Sequence, residues 1–385
     1  MSRLDTYSCQ TIDSSDIESV VSVLNSDFLT QGPMVEEFEK SLASLVGANH
    51  ACAVSSATAA LHLGLVSMGV GKGDHVWTTP NTFVATVNAA VYCGATVTLI
   101  DIDPDTLNID LTSLKRELEA ISETQRLPKV VIPVHFGGNP VDSQKLSSLS
   151  DQYEFKILED ASHALGSNTQ YENVGQCQFS DAAVFSFHPV KPLITGEGGV
   201  IVTNSNKTYQ KLCQLRSHGI DKNAREPTTI LPAELYYEQT QLGWNYRLSD
   251  IHAALGNSQL KKLKSTVEYR QFLREIYLEQ LASEAIKFQK IEDTSLSSNH
   301  LLVVQFETGL KRNAVYNALK AHSIASNFHY IPIYRQPLHH STGNPTKFPM
   351  MEKYYATGLS LPLHVKLTES EILKVSSVIK EVLKT

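Results

Sequence analysis

Short apolar runs alternate with segments of helical spacing from residue 51 to about residue 203. Ala51–Val54, His75–Thr78, Val97–Asp101, Val130–Phe136, Lys156–Asp160, Ala182–Phe187 and Val200–Thr203 have the length and apolar content of strands. Thr58–Met68, Phe83–Tyr92, Leu111–Leu118 and Asp142–Ser150 read as helices between them. Such alternation predicts a mostly parallel sheet covered on both faces. Upstream, residues 14–25 predict a capped helix, and Gly32-Pro33 opens a second over Met34–Leu45, with proline near its first turn. After about residue 250 the character changes. Ile251–Tyr277 predicts one long helix, and shorter segments follow, including Leu301–Glu307, Lys311–Ala321 and Glu369–Leu383. The expected organisation is a large α/β domain over residues 1–255 and a smaller α+β domain over residues 256–385.

The net charge of −7 argues against general nucleic-acid binding, which relies on a basic surface, but leaves room for a local cationic pocket. Five cysteines, an odd number without a CxxC pair, fit free thiols in a reducing compartment. The first ten residues lack the apolar centre of a signal peptide. No apolar run reaches the roughly 18 residues of a membrane span. The expectation is a cytoplasmic protein.

Lys191 is the first candidate for chemistry. It lies in Pro189-Val190-Lys191-Pro192, between two apolar runs. Burial disfavours an ammonium ion, and the neutral amine is the form that attacks a carbonyl. The alternative is a lysine that snorkels to water. Asp160 closes an apolar run, at the carboxyl end where ligands of open α/β sheets bind. Its carboxylate either pairs with a protonated ring nitrogen or caps Ala161-Ser162-His163. Ser55 to His62 follows the first run and opens a helix, which suits a phosphate; an ordinary serine cap reads the same way. Phe83, at the next strand-to-helix turn, either stacks on a planar ring or packs in the core.

Other motifs carry less. Gly69-Val70-Gly71-Lys72-Gly73 precedes a strand instead of opening a helix, so it is no phosphate loop. Asp101-Ile102-Asp103-Pro104-Asp105 lacks the glycine and glutamate of a calcium loop. His339-His340 has no partner at metal-ligand spacing.

In order and spacing, several short segments resemble the sugar aminotransferases of the DegT/DnrJ/EryC1/StrS family over nearly the whole chain. They are Ser56-Ala57-Thr58-Ala59-Ala60-Leu61, Thr82-Phe83-Val84-Ala85-Thr86, Asp101-Ile102-Asp103, Glu159-Asp160-Ala161, Ser186-Phe187 ahead of Lys191, Gly196-Glu197-Gly198-Gly199, Asn245-Tyr246-Arg247-Leu248-Ser249 and Leu361-Pro362-Leu363. The resemblance implies a PLP-dependent fold-type I (aspartate aminotransferase-like) large domain with a smaller α+β C-terminal domain. It implies that Lys191 bonds pyridoxal 5'-phosphate and then carries the proton between cofactor and sugar. Asp160 would pair with the pyridine nitrogen. Ala57, Thr58 and Ser186 would hold the phosphate, and Phe83 would stack on the ring. Asn245 would reach the phosphate from the partner subunit, which implies a homodimer with shared active sites. His163 stands where many relatives have glutamine, beside the ring and its phenolic oxygen. Ala57 replaces the commoner glycine, and its methyl narrows the phosphate loop. Dehydrating relatives replace the lysine with histidine, so Lys191 favours transamination.

Phe187-His188-Pro189-Val190-Lys191-Pro192, with Phe328-His329-Tyr330-Ile331-Pro332-Ile333-Tyr334-Arg335-Gln336-Pro337, is similar to the branch of the family in pseudaminic acid biosynthesis. That likeness implies transfer of an amino group from L-glutamate, which leaves as 2-oxoglutarate, to C4 of a UDP-4-keto-6-deoxy-N-acetylhexosamine of L-altro configuration. His329, Tyr330 and Arg335 are then candidate sugar-nucleotide contacts, or else packing of the second domain. Arg225, Tyr236 and Tyr237 lie in a polar segment that would cover the pyrophosphate; Arg225 reads equally as a solvated loop charge. The rival readings are an aminotransferase for another keto sugar, such as UDP-4-keto-6-deoxy-GlcNAc, a cofactor-dependent sugar dehydratase, and a binding protein that kept the fold.

Overall fold

The structure is a computed structural model that describes residues 3–121, 127–221, 236–282 and 285–384. The first half runs α1 (Ser14–Leu24), α2 (Pro33–Val46), β1 (His50–Val54), α3 (Ala57–Ser67), β2 (His75–Thr78), α4 (Val84–Tyr92), β3 (Thr96–Leu99), α5 (Leu111–Glu119), β4 (Val130–Ile132), α6 (Ser143–Tyr153), β5 (Lys156–Asp160), β6 (Ala182–Ser186) and β7 (Gly199–Thr203). Then come α7 (Asn206–Leu215), β8 (Ile220–Asp221), β9 (Glu238–Gln239), α8 (Asp250–Leu260), α9 (Leu263–Leu281), β10 (Ile286–Phe288), β11 (Leu302–Phe306), α10 (Gly309–Ala321), α11 (Pro349–Thr357), β12 (Gly358–Leu361) and α12 (Glu369–Leu383).

The first seven strands form one sheet in the order β1-β7-β6-β5-β4-β2-β3. The pairs from β3 through β2, β4 and β5 to β6 are parallel, while β7 runs antiparallel to both β6 and β1. Side chains alternate between faces. Ala51, Ala53, Phe185 and Val202 pack toward α2, whereas Cys52, Val54, Val184 and Ile201 pack toward α3 and α7. Helices on both faces therefore bury the apolar side of every central strand.

Two expected elements differ. The run Val130–Phe136 is a strand only to Ile132, because Pro133 has no N–H to continue the ladder. Its carbonyl still accepts the Asp160 amide (2.9 Å), so the chain stays beside β5 before turning at Gly137 and Gly138. The predicted long helix from residue 251 is two helices that break at Lys261-Lys262. The Lys262 ammonium is drawn to Asp13 (2.6 Å) and Asp16 (3.0 Å) at the start of α1, a tertiary tether with no local signal.

β10, β11 and β12 form a three-stranded antiparallel sheet packed on α9, α10 and α12. Leu4 lies in that cluster, so the N-terminal residues travel with the C-terminal ones. The division expected at 255/256 falls inside α8, where Gly256 packs on the Phe38 ring of α2. A further apolar cluster joins Val87, Leu99 and Phe136 to Leu301, Val303 and Tyr354. Asp101, just past β3, accepts hydrogen bonds from the Met350 and Met351 amides (both 3.0 Å) at the start of α11. No helix among the described residues is long and apolar enough to cross a membrane. All five cysteines are free thiols.

Candidate active site

β1, β2, β5 and β6 all end at one edge of the sheet, where β7 begins. Val54 and Ser186 both pair with Gly199 there, which fixes the register of the edge. A cavity of about 520 Å³ opens above it. Ala57, Thr58, Phe83, Asp160, His163, Ser186, Lys191, His329 and Tyr330 line it together.

The turn from β1 into α3 sits directly on β7. A Cβ built on Gly199 would lie 2.6 Å from the Ser56 carbonyl oxygen and nearer still to the Ala57 nitrogen. Only glycine admits that approach. Ser56 caps α3 by accepting the Ala59 amide (3.1 Å), and the first i→i−4 bond joins the Ala60 amide to the Ser56 carbonyl (3.0 Å). The amides of Ala57 and Thr58 precede that bond, at the positive end of the helix. The Ser56 cap and an anion site thus occupy the same turn.

Lys191 lies in the loop between β6 and β7, closed by the bonds from Phe187 N–H to the Gly198 carbonyl (3.0 Å) and Thr195 N–H to the Phe187 carbonyl (2.9 Å). Solvent reaches part of its side chain through the cavity, but the amine is surrounded by protein. Burial lowers its pKa to about 8, against the attraction of Asp160. A substantial neutral fraction therefore exists near neutral pH, as a nucleophilic amine requires.

Asp160 is buried at the end of β5, and both oxygens are held. Oδ2 accepts the Thr86 hydroxyl (2.6 Å) and Oδ1 accepts the Ser162 amide (3.2 Å). The carboxylate thus keeps one orientation toward the cavity.

His163 is buried beside it. The Gly137 amide donates to Nδ1 (3.2 Å), so in the neutral ring the proton is on Nε2 and is donated to the Tyr330 hydroxyl (3.1 Å). Burial pushes the His163 pKa well down, helped by the charge of Lys191. His329 is pushed down to about 3 by burial and by Lys191, and its Nδ1 meets the Ser360 hydroxyl (2.9 Å). Among the described residues of this cluster, Lys191 is the cation whose charge Asp160 attracts.

Phe83 is 57% exposed at the cavity mouth, 5.9 Å from the Tyr330 ring, and so is not a core residue. Other sequence candidates lie apart. Arg335 is held by Glu352 through Nε (2.9 Å) and Nη2 (2.5 Å), and packs over the Tyr355 ring. Tyr236 bonds Glu238. Asn245 is exposed, on a segment bridged to Ser217, and does not line this cavity. Arg225 lies outside the described residues.

Sequence reasoning missed Tyr7, Asn327 and Glu197 in the cavity wall. It also missed Ser8 and Thr86, which act one step behind that wall. Tyr7 and Ser8 reach the site through tertiary packing of the N-terminus and carry no local signal. Thr86 stood within a recognised motif but without a role.

The family model for the DegT/DnrJ/EryC1/StrS aminotransferase family matches residues 10–380. The chain is 37% identical over 365 residues to the UDP-4-amino-4,6-dideoxy-N-acetyl-beta-L-altrosamine transaminase of Campylobacter jejuni, covering 94% of this chain and 93% of that one. Among solved structures it is similar to Helicobacter pylori PseC, an aminotransferase involved in the biosynthesis of pseudoaminic acid. That match has a TM-score of 0.88, 31% identity, and covers 98% of this chain and 99% of that one. The PLP-form of the sugar aminotransferase Spr1654 from Streptococcus pneumoniae matches with a TM-score of 0.87, 28% identity, and 98% and 99% coverage.

Proposed function

The chain belongs to the DegT/DnrJ/EryC1/StrS aminotransferase family, and on that premise we propose that it transfers the amino group of L-glutamate to C4 of a UDP-4-keto-6-deoxy-N-acetylhexosamine. The sugar of L-altro configuration is the preferred acceptor, on the likeness to the Campylobacter and Helicobacter enzymes. One observation carries the reading: Lys191, Asp160 and the first turn of α3 face a single cavity.

These residues fit pyridoxal 5'-phosphate. The α3 turn offers two uncommitted helix amides and is seated on Gly199, where a side chain would displace it. The oriented carboxylate of Asp160 suits a protonated ring nitrogen. Phe83 presents an exposed ring at the mouth, and Ser186 adds a hydroxyl at the edge. When bound, the cofactor supplies an electron sink for the carbon that loses or gains the amino group.

The chain's own groups supply the rest. Ala57, Thr58 and Ser186 hold the phosphate. Asp160 keeps the ring nitrogen charged. Lys191, with its pKa lowered to about 8 by burial, takes a proton at the donor carbon and returns one at sugar C4. His163 stays neutral and donates to Tyr330, so it does not compete with Lys191 for Asp160. His329 and Tyr330 border the sugar; Arg335, Tyr236 and Arg225 are proposed for the nucleotide. Asn245, exposed and outside its own cavity, serves the phosphate of a partner subunit, so the working unit is a homodimer. The protein works in the cytoplasm, where nucleotide sugars are made.

The test is a two-step spectral exchange. The purified protein with pyridoxal phosphate is treated with glutamate, glutamate is removed, and the UDP-4-keto-6-deoxy sugar is added. Return of the pyridoxal absorbance with the L-altro sugar supports the reading. Return only with the D-gluco epimer reassigns the sugar. No response to glutamate overturns it.

A further inference from the structure

We propose that Thr86 and Thr82 are positioning residues for Asp160, forming a buried hydroxyl relay that fixes its orientation toward the cavity. The proposal rests on the aminotransferase reading of this site. Thr86 Oγ1 lies 2.6 Å from Asp160 Oδ2. Thr82 Oγ1 lies 2.7 Å from Thr86 Oγ1. Exposure is 2% for Thr82, 0% for Thr86 and 5% for Asp160, so solvent cannot stand in for any member.

The direction of the relay follows from valence. An ionised carboxylate only accepts hydrogen bonds, so the Thr86 proton goes to Asp160. Thr86 then offers Thr82 only a lone pair, and Thr82 must donate. Both protons thus point toward the carboxylate. A donor polarised by a second donor binds its acceptor more strongly. The Ser162 amide holds the other oxygen (3.2 Å), which sets the plane of the group.

Placement argues against a mere packing role. Both threonines lie at the start of α4, whose cap residue Phe83 makes no side-chain capping bond. Val87, Ala89 and Ala90 of the same helix are buried and apolar. A valine at residue 86 would fill the same volume among them. The hydroxyl is there for Asp160, which sits on a strand 74 positions away.

Loss of the Thr86 hydroxyl frees Asp160 Oδ2 from the bond that aims the carboxylate at the cavity. A misaligned carboxylate would hold the protonated ring nitrogen of the cofactor less well, the ring would withdraw fewer electrons, and the nitrogen contributed by Lys191 would keep its proton to higher pH. Lys191 and Tyr330 also feel the charge of Asp160, and His163 and His329 face the same cavity. These groups are common to all variants, so a difference between variants reports the threonines.

The experiment uses protein loaded with pyridoxal phosphate, as wild type, Thr86→Val, Thr86→Ser and Thr82→Val. The pH midpoint of the visible absorbance of bound pyridoxal is measured, with kcat and KM for the glutamate step. Thr86→Val is expected to raise the midpoint by about 0.5–1 unit and lower kcat roughly tenfold, with KM for glutamate unchanged. Thr82→Val moves both in the same direction by less, and Thr86→Ser returns both to wild type. A Thr86→Val protein with the wild-type midpoint overturns the relay, as does a Thr86→Ser protein no better than Thr86→Val. If Thr86→Val does not fold, Thr82→Val decides, and an unmoved midpoint there overturns the relay. A wild type that gains no visible absorbance with pyridoxal phosphate defeats the aminotransferase reading itself, and the relay with it.

Discussion

Ser8 donates a 2.8 Å hydrogen bond to the carbonyl of Val190, 182 positions away and one residue before Lys191. Ser8 is 4% exposed, and its neighbour Tyr7 lines the cavity. The Leu363 amide in turn donates to the Tyr7 carbonyl (3.1 Å). The N-terminal segment therefore joins the lysine loop to the second sheet. Replacing Ser8 with alanine leaves a partly buried carbonyl without this donor, at a cost of about 1 kcal/mol. The expected result is a lower melting temperature and a kcat reduced several-fold, with KM for glutamate little changed. Thermal melts and single-turnover kinetics check it; a variant unchanged in both would mean that the loop holds itself.

Lys191 makes a pH prediction with a definite sign. Burial lowers its pKa in the folded apoprotein from 10.5 to about 8. Between those values the unfolded chain binds more protons than the folded one, so this group's contribution to stability rises with pH across the window. Below about pH 8 it opposes folding in full. Lys191→Ala should flatten the rise of melting temperature between pH 8 and 10, measured on apoprotein. The same neutral fraction sets the rate of covalent cofactor uptake, which should rise through about pH 8 and level off above it. The variant should lose that uptake and turn over about 10²–10⁴-fold more slowly.

Arg335 tests the edge of the site. Its guanidinium binds both carboxylate oxygens of Glu352, and the Tyr334 hydroxyl donates to the same group (2.7 Å). The pairing holds the Glu352 carboxyl below its usual range, Arg335 being the leading cause. Arg335→Met should therefore lower stability by roughly 1 kcal/mol, as loss of a well-formed but partly exposed pair. If Arg335 leaves Glu352 to bind the nucleotide, KM for the UDP sugar rises about tenfold as well. An unchanged KM confines the residue to the second domain.

Much of the site was readable because its parts are local. A strand end placed Asp160, a strand-to-helix turn placed Ala57 and Thr58, and a loop between strands placed Lys191. The central strands were readable from runs of apolar residues, except where Pro133 cut one short. What escaped was set by distant parts of the chain. Tyr7 and Asn327 reach the cavity, and Ser8 the loop behind its wall, only once the termini and the second sheet have packed. At the helix break Lys262 pairs with Asp13 and Asp16, about 250 residues upstream. Arg335 sat in a suggestive motif, yet Glu352 had the stronger claim on it in the free protein.

His163 and Tyr330 supply the remaining prediction. The imidazole accepts the Gly137 amide on one nitrogen and donates to Tyr330 from the other, so it needs one acceptor and one donor. A glutamine side chain has both, with its carbonyl for Gly137 and its amide for Tyr330. His163→Gln should therefore keep kcat/KM within about tenfold, while His163→Leu should lose more than that, because two buried groups are stranded. Since burial keeps His163 neutral, protonation of the imidazole plays no part. Wild type and His163→Gln should then share one pH profile between pH 6 and 8. A limb near pH 6.5 that is present in wild type and absent from His163→Gln would mean that this histidine titrates during turnover, and that Nδ1 gives up the bond from the Gly137 amide when it gains a proton.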